Sequence, residues 1–141
     1  MNEPNNKLRV FIDTNVLISA VISETSPCRN LIRNLIQNHV LILCSYSLTE
    51  VSRVLKNKFP GKMTHWDYML TNMEFELSYT PEDLSMFDAP YIRDPEDLPI
   101  LISAIIAEPD VFVTGDKDFH TKEIKDYLVV YTPADFLRDF T

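Results

Sequence analysis

Four carboxylates stand where they could do chemistry together: Asp13, Glu50, Asp97 and Asp116. Asp13 ends the apolar run Val10-Phe11-Ile12 and is followed by Thr14-Asn15 and a second apolar run. Asp116 lies just past another such run, in Val113-Thr-Gly-Asp-Lys-Asp-Phe. Glu50 falls in Ser47-Leu-Thr-Glu-Val, and Asp97 in Arg93-Asp-Pro-Glu-Asp-Leu-Pro. Carboxylates that converge without matching Lys or Arg repel one another, and are tolerable with raised pKa values or with bound cations. All-oxygen ligation by Asp and Glu suits Mg²⁺ or Mn²⁺ and disfavours Zn²⁺. Such ions activate water and stabilise the leaving oxygen of a phosphodiester.

Singly, each acid has a plainer role. Asp13 could cap the helix that follows it, and Glu50 could close a capping box with Ser47. Asp97 is placed as an N-cap ahead of Leu98-Pro99, and Asp116 sits in a turn that favours Asp. Their convergence therefore depends on the elements that carry them.

Those elements alternate. Leu8–Ile12, Val40–Cys44 and Val111–Val113 are short, nearly unbroken apolar runs, as in parallel strands covered on both faces. Tyr127–Tyr131 reads as a last strand, and 75–79 alternates as an edge strand would. Between them, helical spacing of apolar residues predicts helices over 16–22, 27 to about 38, from about 47 past Leu55, 63–73 and 100–107, with a short C-terminal helix ending near Phe140. Ser26 before Pro27 is a favoured helix start. Strands alternating with helices imply an α/β fold, a three-layer α/β/α sandwich around a mostly parallel sheet of four to five strands. In such a sheet, Asp13 and Asp116 share the carboxyl edge where ligands bind.

Composition sets the bounds. At 141 residues the chain reads as a single domain over 1–141, with a core over about 8–133. A chain of this size buries roughly two-thirds of its unfolded surface and needs no staples. No apolar run approaches the roughly 18–20 residues that span a bilayer, and the polar start MNEPNN lacks the form of a signal peptide. Cytoplasmic residence and no membrane partner are expected. Cys28 and Cys44 show no metal or disulfide spacing and read as small buried hydrophobes. The net charge of −8 is concentrated: residues 80–126 carry four Lys/Arg against twelve Asp/Glu, whereas residues 1–79 carry eight against seven. An acidic chain is poorly suited to binding nucleic acid through phosphate contacts alone. The one basic run, Arg53, Lys56, Lys58 and Lys62, reads as a solvated helix face. His39, His65 and His120 lack ligand spacing, and His120 reads as a surface residue.

The motifs Phe11-Ile-Asp-Thr-Asn-Val-Leu, Ser47-Leu-Thr-Glu-Val, Asp94-Pro-Glu-Asp-Leu-Pro-Ile-Leu and Val113-Thr-Gly-Asp-Lys-Asp-Phe, in that order, resemble those of the PIN-domain ribonucleases. That family includes the toxin components of bacterial type II toxin–antitoxin pairs. The resemblance runs from about Arg9 to Pro133 and implies a PIN-like fold. By it, Asp13, Glu50, Asp97 and Asp116 match the family's metal-binding acids. Asn15, Ser47 and Thr114 match polar positions beside the site. Asp94 competes with Asp97 for its position, and Asp118 with Asp116. Asp97 is preferred because Ile100, Leu101 and Ala104 follow it at the family's spacing, and Asp116 because it directly follows the Thr-Gly step. Asp94 and Asp118 are then accessory, and Lys117 is the nearest candidate for a phosphate contact.

The activity implied is a Mg²⁺- or Mn²⁺-dependent endoribonuclease that cleaves single-stranded or structured RNA by metal-activated water. Asp13 and Asp116 would hold the first ion with Asp97 sharing it, and Glu50 would serve a second ion or the attacking water. The implied partners are an RNA substrate, an antitoxin protein and a second copy of the chain, with residues 59–79, including Trp66 and three Met, as the dimer contact. Two other readings compete: a PIN-like binding or assembly module without catalysis, which predicts a degraded acid set, and a haloacid-dehalogenase-type phosphatase, which wants an Asp where Asn15 stands.

Overall fold

The computed structural model describes residues 7–140. Five strands form one sheet: β1 (Arg9–Ile12), β2 (Val40–Cys44), β3 (Glu76–Ser78), β4 (Val111–Val113) and β5 (Val130–Tyr131), in the order β3-β2-β1-β4-β5. Every pairing is parallel. The helices are α1 (Thr14–Ile22), α2 (Pro27–Asn38), α3 (Ser45–Lys58), α4 (Met63–Asn72), α5 (Leu98–Ala107), α6 (Lys122–Lys125) and α7 (Pro133–Phe140).

The unbroken apolar runs have the origin expected for buried parallel strands. Successive side chains point to opposite faces, and here both faces are covered. Val10, Ile12, Leu41, Leu43, Val111 and Val113 pack into one cluster with residues of α1, α2, α3, α4 and α7. Phe11, Ile42, Cys44 and Phe112 pack into the other with α5, α6 and Phe119. The α/β three-layer expectation therefore holds.

β1 is central. Helix α1 leaves its carboxyl end toward the first cluster, whereas the chain entering β4 comes from α5 in the second. The gap between the ends of β1 and β4 is thus the point where the winding reverses, the place where open α/β sheets bind ligands.

Several local expectations change. Helix α1 begins at Thr14, directly after Asp13, not at Val16. Helix α3 begins at Ser45, so Ser47 and Glu50 lie inside it and form no capping box. Ser47 is fully buried, its hydroxyl 2.8 Å from that of Thr14 and 3.3 Å from the Cys44 sulfur. Only Val130–Tyr131 of the last apolar run pairs as strand, because the amides of Tyr127 and Leu128 donate back to the Ile124 carbonyl to close α6. Trp66 is fully buried within its own chain, its Nε1 donating to the Ser52 hydroxyl at 3.2 Å. Met63, Met69 and Met73 pack against the same core. The expected dimer contact at Trp66 is therefore corrected, since that ring is spent on the monomer core.

His39 is buried, and its Nδ1 accepts from the Leu8 amide at 3.0 Å. Burial, with Lys7 nearby, lowers its pKa. Among the described residues, no helix is long and apolar enough to cross a membrane.

Candidate metal centre

The β1–β4 register fixes the first part of the site. Ile12 stands opposite Val113, so Asp13 and Thr114 emerge side by side. The Asp13 amide donates to the Val113 carbonyl at 3.1 Å, and the Thr114 hydroxyl donates to the Asp13 carboxylate at 2.7 Å. Both residues are buried. Asp13 takes the N-cap place of α1, but its carboxylate makes no capping hydrogen bond. Burial raises its pKa; the Thr114 hydrogen bond and the amides at the start of α1 oppose that, and Asp116 adds to it.

Asp116 arrives two residues after Thr114. The Thr114 hydroxyl oxygen accepts from the Asp116 amide at 3.0 Å, and Asp116 in turn accepts from the Asp118 amide at 2.9 Å. This Asx turn starts the 3-10 turn Lys117–Phe119. Phe119 anchors it by its edge-to-face contact with Phe112, centroids 5.0 Å apart. The turn plants two acids, Asp116 and Asp118, at the sheet edge.

Asp97 comes from the other side. Asp94, not Asp97, does the local capping, accepting from the Glu96 amide at 2.9 Å at the start of the 3-10 turn Pro95–Asp97. The expected N-cap role of Asp97 is thereby corrected: its carboxylate makes no capping hydrogen bond. The preceding loop is pinned by Thr80, whose amide donates to Ser45 Oγ at 2.9 Å and whose hydroxyl meets that of Ser103 at 2.8 Å.

Carboxylate oxygens of Asp97, Asp116 and Asp118 all lie within 4.8 Å of one another. Burial, then Asp116, Asp13, Asp94 and Asp118, push the pKa of Asp97 up to about 7. Two oxygens each about 2.1 Å from one Mg²⁺ are at most about 4.2 Å apart, so small side-chain rotations bring this set to ligation. The donor chemistry, all carboxylate, fits Mg²⁺ or Mn²⁺.

Glu50 is not in that cluster. Its carboxylate is engaged by Arg53, at 2.7 Å to the guanidinium. Burial is the main cause of the raised pKa of the Tyr46 phenol, and Glu50, Glu96 and Asp97 add to it. Asn15 is exposed at the start of α1 and lines, with Ser19, Cys28, Gly115, Asp116 and Pro133, an open cleft of about 310 Å³. Lys117 is exposed on the turn between the two acids.

Three contributors are absent from the sequence reading. Arg93 pairs with Asp118 at 2.8 Å, Tyr46 stands beside Glu50, and His120 is not a free surface residue. The His120 Nε2 donates to the Thr114 carbonyl at 2.7 Å, bracing the residue that holds Asp13. Arg93 and His120 adjoin recognisable motifs, but spacing foretells neither the Arg93–Asp118 pair, which depends on how two loops meet, nor the contact of His120 with Thr114 inside the segment after β4.

Thr114 is thus the post on which Asp13 hangs. Thr114→Val is expected to leave the fold intact and to weaken Mn²⁺ binding by about 10–100-fold, as for other groups that orient ligands. Isothermal titration checks it; wild-type affinity in the variant would refute this role.

The family model for the PIN domain matches residues 9–118. No curated protein matches the sequence. Among solved structures, VapBC2 from Rickettsia felis, bound to a DNA fragment from its promoter, is similar to this chain with a TM-score of 0.64. The two are 17% identical over 87% of this chain and 97% of that one, a likeness of fold.

Proposed function

This chain belongs to the PIN-domain family, and from that membership we propose that it is a Mg²⁺- or Mn²⁺-dependent endoribonuclease. Its substrate is single-stranded or structured RNA, and its role is that of the toxin in a cytoplasmic toxin–antitoxin pair. The observation that carries the reading is the convergence of Asp97, Asp116 and Asp118 within 4.8 Å, with buried Asp13 hydrogen-bonded to Thr114 beside Asp116.

Asp13, Asp97 and Asp116 are the groups that would hold the ion, with Asp118 as a fourth donor. When bound, Mg²⁺ or Mn²⁺ supplies a Lewis acid that lowers the pKa of water and offsets charge at the phosphodiester. The chain's own residues do the positioning. Thr114 fixes the Asp13 carboxylate, and Ser47 and Thr14 tie the start of α3 to the start of α1. Glu50, on the flank, orients the attacking water or serves a second ion once Arg53 releases it. Asn15 and the cleft along α1 receive the strand, and Lys117 faces its backbone.

The antitoxin partner is supported by the likeness to VapBC2. A homodimer is proposed as well, through a surface that does not include Trp66.

The test is cleavage of a panel of unstructured and hairpin RNAs with Mn²⁺, against EDTA, for the wild type and Asp13→Asn. Metal-dependent cutting that is lost in Asp13→Asn is expected. No metal-dependent cutting of any RNA, or equal cutting by the variant, would overturn the assignment.

A further inference from the structure

We propose that Arg93 seats the substrate phosphate beside the acid cluster, an inference that rests on the ribonuclease reading above. The three acids and Asp13 leave the site strongly anionic, and a single divalent ion offsets only part of that charge. A phosphodiester arriving there needs further positive charge. Residues 80–126 hold only four Lys/Arg. Among the described residues, Arg93 alone of these makes an ion pair with an acid of the cluster.

Its geometry suits the task. The Arg93 Nε donates to both Asp118 oxygens at 3.0 Å, and a terminal nitrogen lies 2.8 Å from one of them. The rest of the fork is free to turn outward, for the side chain is 71% exposed while that of Asp118 is 18% exposed. A pair this exposed contributes little to stability, so folding does not account for its place. A planar guanidinium at the lip of an acid cluster presents parallel donors to two oxygens of a phosphate. Asp118 has lone pairs to spare, so it can tether Arg93 while facing the ion. The cleft bordered by Asn15 and Asp116 lies on the α1 side, whereas Arg93 comes from the segment before α5. A strand lying in that cleft and crossing the acids therefore ends at this side chain.

The test uses a fluorescent single-stranded RNA in Ca²⁺, with affinity measured against salt for the wild type, Arg93→Gln and Arg93→Lys. Mn²⁺ affinity is measured for the same proteins by titration calorimetry. Arg93→Gln is expected to weaken RNA binding about tenfold or more. Its slope of log affinity against log salt should be shallower by about 0.7. Arg93→Lys should recover the slope but only part of the affinity, and Mn²⁺ affinity should not fall in either. Wild-type RNA affinity and slope in Arg93→Gln, with cleavage by the wild type intact, would overturn the proposal and leave the ribonuclease reading standing. A fall in Mn²⁺ affinity without a change in salt slope would also overturn it, by making Arg93 only an orienter of Asp118. A wild type that neither binds nor cleaves RNA would overturn both.

Discussion

Replacing Asp97 with Asn is expected to abolish Mn²⁺-dependent cleavage while raising the thermal midpoint of the metal-free protein at pH 8. The two effects share one cause. Asp97 is partly buried among Asp116, Asp13, Asp94 and Asp118, and its pKa stands at about 7 against an ordinary 3.8. Between those values the folded chain keeps a proton that the unfolded chain releases. The favourable contribution is thus complete below about pH 4 and is lost as pH rises through about 7. At pH 8 the metal-free wild type carries the full repulsion, and the amide of Asn removes it. At pH 5 the difference between the two proteins should be smaller. Mn²⁺ should raise the midpoint of the wild type, more at pH 8 than at pH 5, and should do little for the variant. A ligand to a catalytic ion contributes several kcal/mol at the transition state, so cleavage should fall by about 1,000-fold or more. Thermal melts at the two pH values and single-turnover cleavage read all of this. A variant that is less stable than the wild type at pH 8, or that cleaves within a few-fold of it, would contradict the account.

Trp66→Ala is expected to cost about 3–5 kcal/mol of folding stability, a large share of the roughly 5–15 kcal/mol that a domain has. The indole is fully buried against the cluster built from α1, α2, α3 and α4, and its N–H is satisfied by Ser52. Truncation leaves a cavity and an unpaired Ser52 hydroxyl. Urea denaturation measures the loss. The oligomeric state of the remaining folded protein should not change, since the ring reaches no surface. A loss under about 1 kcal/mol together with a change in assembly would return Trp66 to an intermolecular contact.

Both predictions touch residues whose setting was only partly legible in the sequence. The sheet was legible because parallel strands buried on two faces carry unbroken apolar runs, and Val10–Ile12, Leu41–Cys44 and Val111–Val113 all do. Strands β1 and β4 ending in Asp13 and in Thr-Gly-Asp imply a shared edge for these acids. Short-range pairings were less legible. Ser47 and Glu50 have the spacing of a capping box, but α3 starts two residues earlier because Cys44 ends β2 and the chain turns at once into helix. Asp94 and Asp97 are interchangeable as caps by type, and the Pro95–Asp97 turn gave the capping to Asp94, leaving Asp97 free for the cluster. By residue type a stripe of Trp66 and Met suits a core as well as an interface, and the packing of α4 into the core decides it. Arg93 acts through a contact between two loops and His120 through one within the segment after β4, and no periodicity encodes either.

The proposal that these acids hold a divalent ion is the central claim, and diffraction from crystals soaked in Mn²⁺, with data at the manganese absorption edge, tests it most directly. An anomalous peak is expected at the carboxyl ends of β1 and β4, bounded by Asp13, Asp97, Asp116 and Asp118, and absent from Asp116→Asn crystals. No peak there at saturating Mn²⁺, or a peak that persists unchanged in that variant, would contradict it.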